Sequence, residues 1–341
     1  MSGVAQKKQS AFLHGLCHPI LPHCQPEALQ ETRLTTLLFS HPSSLGHDMG
    51  AGHPERPDRI RVVEKALSDP AFASLSRAEA PLGTLEAILK VHPQSYYDAI
   101  VAASPSRGLV QLDADTRMNS GTLEAVLHGV GGACAAVDAV MSGTAENAFV
   151  AMRPPGHHAE TQTAMGFCFF NNIAIAARHA RSRFGAERIA IVDFDVHHGN
   201  GTQEIFWRDK NVLFCSTHEM PLYPGTGARS ERGEFDQIVN APLRAGDEGE
   251  NFREAFTTAI LPRLTNYAPD LILISAGFDA HRRDPLANVN LVDADFAWIT
   301  NQLREVATRC CKGRIVSVLE GGYDLQALSG SVAAHVGALM D

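Results

Sequence analysis

Hydrophobic positions group along this chain in two alternating ways. Short apolar, β-branched runs occur at Leu37–Phe39, Ala148–Met152, Ile189–Phe194, Val212–Cys215, Leu271–Ile274 and Ile315–Leu319. Each is too short for a helix and too continuous for a half-exposed strand, so each predicts a strand buried on both faces. Between them lie longer stretches with apolar residues at helical spacing, roughly 55–68, 93–103, 120–142, 172–184, 251–266, 293–311 and 325–339. Alternation of this kind predicts an α/β fold: an open, mostly parallel sheet with helices on both faces. No boundary signal, repeat or low-complexity tract divides residues 34–341, which are read as one domain.

In such a sheet, ligands bind beyond the carboxyl ends of the strands. Four of the predicted strands run directly into polar chemistry there. Phe149–Met152 leads into Arg153-Pro154-Pro155-Gly156-His157-His158, and Ile189–Val192 leads into Asp193-Phe194-Asp195-Val196-His197-His198. Leu271–Ile274 leads into Ser275-Ala276-Gly277-Phe278-Asp279, and Ile315–Leu319 into Glu320-Gly321-Gly322-Tyr323. Chance would scatter these groups; their convergence on one sheet edge predicts an enzyme.

Side chains alternate along an extended strand, so Asp193, Asp195 and His197 share one side and Phe194 and Val196 take the other. Asp279 follows a run apolar enough to be buried, and a buried carboxylate needs a cation or several donors. Asp195, His197 and Asp279 therefore make a candidate three-ligand metal site of oxygen and nitrogen donors with a position open to water, the form of a catalytic zinc centre.

Composition narrows the function classes. Of 341 residues, 45% are hydrophobic and 20% charged, a balance that supports a large core. Lys and Arg number 29 against 38 Asp and Glu, a net charge of −9. That charge argues against a nucleic-acid partner and tolerates a cationic one. Seven cysteines at irregular spacing, without CxxC, predict no disulfide framework and a reducing, cytoplasmic compartment. No apolar run is read as approaching the ~18–20 residues of a membrane span, so no membrane partner is expected. Residues 1–33 hold His14, Cys17, His18, His23 and Cys24 among prolines, at spacings that fit no standard zinc module. They are read as a peripheral or flexible extension.

The motifs Arg153-Pro154-Pro155-Gly156-His157-His158-Ala159, Gly166-Phe167-Cys168, Asp193-x-Asp195-x-His197-His198-Gly199-Asn200-Gly201-Thr202 and Glu320-Gly321-Gly322-Tyr323 resemble the zinc-dependent histone deacetylase superfamily. His53-Pro54-Glu55-Arg56-Pro57-x-Arg59 fits as well, and Ser275–Ala280 with Asp284-Pro285-Leu286 resembles its class II branch. The match runs in order over about residues 35–340. It implies an arginase-like domain with an eight-stranded parallel sheet. It also implies one Zn2+ on Asp195, His197 and Asp279, with His157 and His158 beside the metal water and Tyr323 donating to the substrate carbonyl oxygen. Asp193 and Asn200 would partner His157 and His158. A carboxylate favours imidazolium and a neutral amide does not, which makes His158 the expected general base and acid. Gly166, Phe167, Tyr223 and Leu286 would line the substrate channel. Asp193 and Ser216, with main-chain oxygens of Asp195 and His197, match a structural K+ site.

Expected substrates are an acyl-lysine protein or peptide, or an acetylated small amine; acetylpolyamine amidohydrolase is the alternative within the family. Polyamine-selective class II relatives place a Glu at the position of Leu286, which favours acyl-lysine here. Arginase-type ureohydrolases share the fold but need a second metal carboxylate, where this chain has His198-Gly199-Asn200. A silent acyl-lysine binder is disfavoured by the complete ligand, His and Tyr set. Oligomer formation is left open.

Overall fold

The computed structural model describes residues 35–341; the reading of residues 1–33 and their His/Cys set lies outside the described residues. Eight strands form one sheet and are parallel throughout: β1 (Thr36–Ser40), β2 (Ser76–Glu79), β5 (Asn147–Val150), β6 (Ile189–Asp193), β7 (Val212–Ser216), β8 (Ile238–Asn240), β9 (Leu271–Ala276) and β10 (Ile315–Leu319). A separate antiparallel pair is β3 (Val110–Gln111) and β4 (Arg117–Met118). Across the sheet the order is β2-β1-β5-β10-β9-β6-β7-β8. The four strands singled out by their polar endings, β5, β10, β9 and β6, are thus neighbours at the centre.

All six predicted strands are present, each end within two residues of its prediction. The two edge strands have no counterpart in the apolar runs, for a physical reason. β2 reads Ser-Arg-Ala-Glu and is covered on only one face, and β8 has three residues. An edge strand needs no second apolar face, so it leaves no continuous run to find.

Helices occupy both faces. On one, α1 (Asp58–Leu67), α9 (Asp293–Cys311) and α10 (Leu325–Met340) pack with Val192, Ile272 and Ile274; on the other, α4 (Thr122–Ser142) and α5 (Asn172–Phe184) pack with Ile191, Leu271 and Leu273. Neighbouring strand residues therefore feed opposite cores, which is why every position of β9 is buried and apolar until Ser275. Short helices α2 (Leu85–Ile88), α3 (Gln94–Ala103) and α6 (Asn200–Phe206) complete the αβ layers before the segment 249–267.

That segment, read as one helix, is α7 (Gly249–Ala255), a wide turn at Phe256–Ile260, and α8 (Leu261–Tyr267). Pro262 explains the break: it has no N–H for the ladder, and its ring crowds the carbonyl four residues back. One expectation needs correcting. Among the described residues α4 is, by length and composition, long and apolar enough to cross a membrane. Within this fold most of it is buried, against the sheet and α5. Its apolar character is that of a core helix.

Candidate active site and metal centre

β6 ends at Asp193, so Asp195 and His197 stand on the loop after the strand and not on an extended continuation of it. The alternation nevertheless holds: Phe194 and Val196 enter the core, while Asp195 and His197 meet Asp279 from the loop after β9. One donor atom from each of these three buried residues lies within 4.8 Å of the others. His197 Nδ1 is 3.2 Å from Asp195 Oδ1 and 3.0 Å from Asp279 Oδ2.

Backbone donors hold both carboxylates. Gly321 N–H donates to Asp195 Oδ2 at 2.8 Å and Val196 N–H to Asp279 Oδ1 at 2.9 Å. Glycine is required on both flanks: a Cβ on Gly277 would meet Asp195 Oδ2 at 2.1 Å, and one on Gly321 would meet Asp279 Oδ2 at 2.2 Å. Burial and the Asp195 charge push the Asp279 carboxyl above its ordinary range. Two buried carboxylates and one imidazole in a glycine cradle are a donor set that a divalent cation would neutralise.

The histidine pair sits beside this group, with ring centroids 4.0 Å apart. His157 Nδ1 is 3.0 Å from Asp193 Oδ2, and His158 Nδ1 is 2.8 Å from Asn200 Oδ1. Burial opposes a charge on His157, but Asp193, Asp195 and Glu320 outweigh it and push the imidazole up to about 10. Asp193 is pushed up only to about 6, by burial against the pull of His157, so the two form an ion pair at neutral pH. Burial, then the charges of His157 and His197, hold His158 well below the usual range. Identical side chains in adjacent positions are therefore split into a cation and a neutral imidazole.

Tyr323 follows β10 on the Glu320–Tyr323 loop. Its hydroxyl is held well above the ordinary pKa by burial, so it stays a donor at neutral pH. Its neighbourhood rests on residues whose role the sequence did not reveal. Arg59 donates to the carbonyls of Glu320 and Gly322, each at 2.6 Å, and its guanidinium lies 4.9 Å from the Tyr323 ring centroid. Glu55 pairs with Arg59 at 3.1 Å and with Arg153 at 2.6 Å, all three fully buried. Breaking such a cluster strands a charge at a cost of roughly 3–5 kcal/mol, so it anchors the loop firmly. Asp284 accepts from the N–H groups of Leu286 at 3.0 Å and Tyr323 at 2.7 Å, which joins the post-β9 loop to the post-β10 loop. Glu320 accepts from the N–H groups of Gly156 and His157, and burial pushes its carboxyl up to about 7. Arg59 and Glu55 lie in a motif quoted from the sequence, but nothing local shows that they reach Tyr323.

A cavity of about 220 Å³ opens onto His158, His197 and Tyr323. Gly166, Phe167, Tyr223 and Leu286, the expected channel residues, line it together with Asp115 and Leu222. Phe167 has a left-handed φ of 68°, uncommon for a bulky residue, and its ring stands edge-on to Tyr323 at 5.8 Å. Strain of that kind survives where the surroundings over-determine it, here on the wall of the cavity. Asp115 was missed because it lies on a polar loop between β3 and β4 without a motif. Cys168, next to Phe167, is buried, and burial pushes its thiol well above the usual range, the state of an inert cysteine. Asp193 and Ser216 face each other in register on β6 and β7, both fully buried.

An open parallel α/β sheet that gathers a carboxylate–imidazole–carboxylate group, a split histidine pair and a tyrosine at its carboxyl edge defines a hydrolase with a candidate single-metal centre. Residues 53–339 match the Histone deacetylase domain family, and the chain belongs to that family. It is 37% identical to Histone deacetylase 14, chloroplastic, of Arabidopsis thaliana, over 95% of this chain and 80% of that one. It is 40% identical to the histone deacetylase-like amidohydrolase of Pseudomonas aeruginosa, over 80% of this chain and 73% of that one. The crystal structure of the HDA15 HD domain superposes with a TM-score of 0.85 at 35% identity, covering 90% of this chain and 88% of that one.

Proposed function

We propose that this protein is a zinc-dependent deacylase that hydrolyses the amide of an acyl-lysine-like amine to free amine and carboxylate. The observation that carries the reading is the meeting of His158, His197 and Tyr323 on one narrow cavity with Asp195 and Asp279 directly behind. Zinc held by Asp195, His197 and Asp279 would polarise the amide carbonyl and bring the pKa of its water to ~7. His158, neutral and facing the cavity, takes the proton of the attacking water and returns it to the leaving amine. His157, kept charged by Asp193, contributes a fixed positive field. Tyr323 donates to the oxygen that gains negative charge, and Phe167 and Tyr223 exclude water from the acyl chain.

A structural potassium ion belongs to the same proposal, held by Asp193, Ser216 and main-chain oxygens of Asp195 and His197. The fit is chemical: burial disfavours the Asp193 carboxylate, and an adjacent cation would favour it. A cytoplasmic location is also proposed, since all five described cysteines are free thiols. The test is a turnover panel of acetyl-lysine peptides, longer acyl-lysines and acetylpolyamines, with and without chelator. Chelator-sensitive turnover of the lysine substrates is expected. Absence of turnover on every amide would reject the enzyme reading.

The structure supports a preference for acyl-lysine at Leu286, which is half-buried on the cavity and offers no charge to a distant ammonium. The −9 charge of the chain attracts any cation, but over distances that physiological salt screens beyond ~8 Å. Leu286→Glu is expected to raise kcat/KM for acetylspermidine about tenfold relative to an acetyl-lysine peptide, roughly 1.4 kcal/mol of discrimination. An unchanged ratio, or a wild type that already favours acetylpolyamines strongly, would place substrate choice elsewhere.

A further inference from the structure

Asn200 is a neutral partner for His158, and a neutral amide poses a problem that a carboxylate does not. It has an accepting oxygen and a donating nitrogen of nearly the same shape, and turned either way it can bond an imidazole. The two orientations dictate opposite tautomers. With the oxygen on Nδ1, the ring carries its proton there and Nε2 keeps a lone pair. With the nitrogen on Nδ1, the proton moves to Nε2, which then cannot accept one. Asp193 cannot create this ambiguity for His157, because a carboxylate only accepts.

We propose that Glu160 is a positioning residue that sets the tautomer of His158 by locking the side-chain amide of Asn200. Glu160 Oε1 lies 2.9 Å from Asn200 Nδ2, and Met165 Sδ lies 3.3 Å from the same nitrogen. A carboxylate and a thioether are both acceptors, so both require the NH2 group of the amide. The amide oxygen is left to His158, 2.8 Å from Nδ1. Nδ1 must then be the protonated nitrogen, which leaves Nε2 free to take a proton.

Local packing keeps the three residues in line. Glu160 exchanges backbone hydrogen bonds with Thr163, and the next residue, Thr161, donates its N–H and hydroxyl to Glu204 at 3.0 and 2.6 Å. α6 begins at Asn200 and presses against the backbone of His158 and Ala159; a Cβ on Gly201 would meet Ala159 O at 2.2 Å. Glu160 does not line the 220 Å³ cavity. It borders a separate cavity of about 490 Å³ with Asn200 and Gln203.

This inference rests on the proposed role of His158 as base. Three variants of the zinc-loaded enzyme test it: Glu160→Leu, which deletes the acceptor; Glu160→Gln, which keeps the size but can present either face; and Asn200→Ala. Glu160→Leu is expected to lower kcat on the order of 10- to 100-fold, less than the ~10²–10⁴ of a general base itself. KM and bound zinc should stay within about twofold of the wild type, and Glu160→Gln should fall between the two. Adding Glu160→Leu to Asn200→Ala should cost nothing further, because Glu160 acts only through the amide. Nitrogen-15 NMR of labelled histidine, with His158→Ala for assignment, should show a single Nδ1–H tautomer for His158 in the wild type and a mixture in the Glu160 variants. Unchanged kcat, multiplying losses in the double variant, or an unaltered tautomer would each overturn the proposal. Should Glu160→Leu fail to fold, the Glu160→Gln values decide. The NMR arm needs no turnover, so an inactive wild type would reject the proposed function while the tautomer still tests the role of Glu160.

Discussion

Tyr323→Phe is expected to lower kcat by about 10²–10³, equivalent to roughly 2.7–4 kcal/mol of lost transition-state stabilisation. The substitution deletes one oxygen and keeps the ring. The ring's surroundings are independent of that oxygen: Phe167 meets it edge-on, Arg59 lies over its face, and the Tyr323 backbone N–H is held by Asp284. Folding and metal content should therefore match the wild type. A donor at this position matters because the charge appears on the amide oxygen only as the tetrahedral species forms, inside a cavity where few waters can replace the bond. KM should change little, since the lost interaction belongs to the transition state and not to the bound substrate. Steady-state kinetics on an acetyl-lysine peptide, with metal analysis of the same samples, checks this. A variant within a few-fold of wild-type kcat would remove Tyr323 from the chemistry.

Asp279→Asn is expected to abolish stoichiometric zinc binding and, with it, turnover. Asp279 is fully buried, with Oδ1 receiving the N–H of Val196 and Oδ2 beside His197. An amide must turn its oxygen to Val196, because its NH2 there would oppose another donor. That orientation aims the NH2 at the site, where a cation would sit. The variant thus loses a charge and gains a misdirected donor at one of three ligands. The readouts are metal content by mass spectrometry and the thermal midpoint with added zinc or chelator. Zinc that binds only the native state raises stability in proportion to RT ln(1 + [Zn]/Kd). The wild-type midpoint should rise with zinc and fall with chelator, and that of Asp279→Asn should respond to neither. In the metal-free state the variant is expected to be at least as stable as the wild type, because Asp195 and Asp279 repel one another there. Full zinc and full activity in the variant would remove Asp279 from the metal site.

Much of this architecture is legible along the chain because two-sided burial writes itself into composition. A strand covered on both faces must be apolar at every position, so the six inner strands stand out, as do the polar residues that end them. His157, Asp195, Asp279 and Tyr323 are recognisable because each follows such a run directly, and a strand end in a parallel sheet points one way. What the linear pattern omits are features with no run or local partner. β2 and β8 are edge strands, half covered, and leave no continuous apolar signal. Glu55, Arg59 and Arg153 form one buried ion cluster from separate stretches of chain, and Asp284 meets Tyr323 across 39 positions. Asp115 reaches the cavity from an unmarked loop.

The two histidines show the boundary most plainly. Their adjacency and the Asp193 and Asn200 motifs identify them as a pair with different partners, because residue type alone fixes whether a partner is charged. Their actual protonation depends on distances that sequence does not contain. Three negative groups converge on His157, while His158 lies beside the His157 imidazolium and an amide whose orientation is set by Glu160, 40 residues along the chain from Asn200. Electrostatic energy in a desolvated site falls off with separation in space, whereas sequence records only separation along the chain.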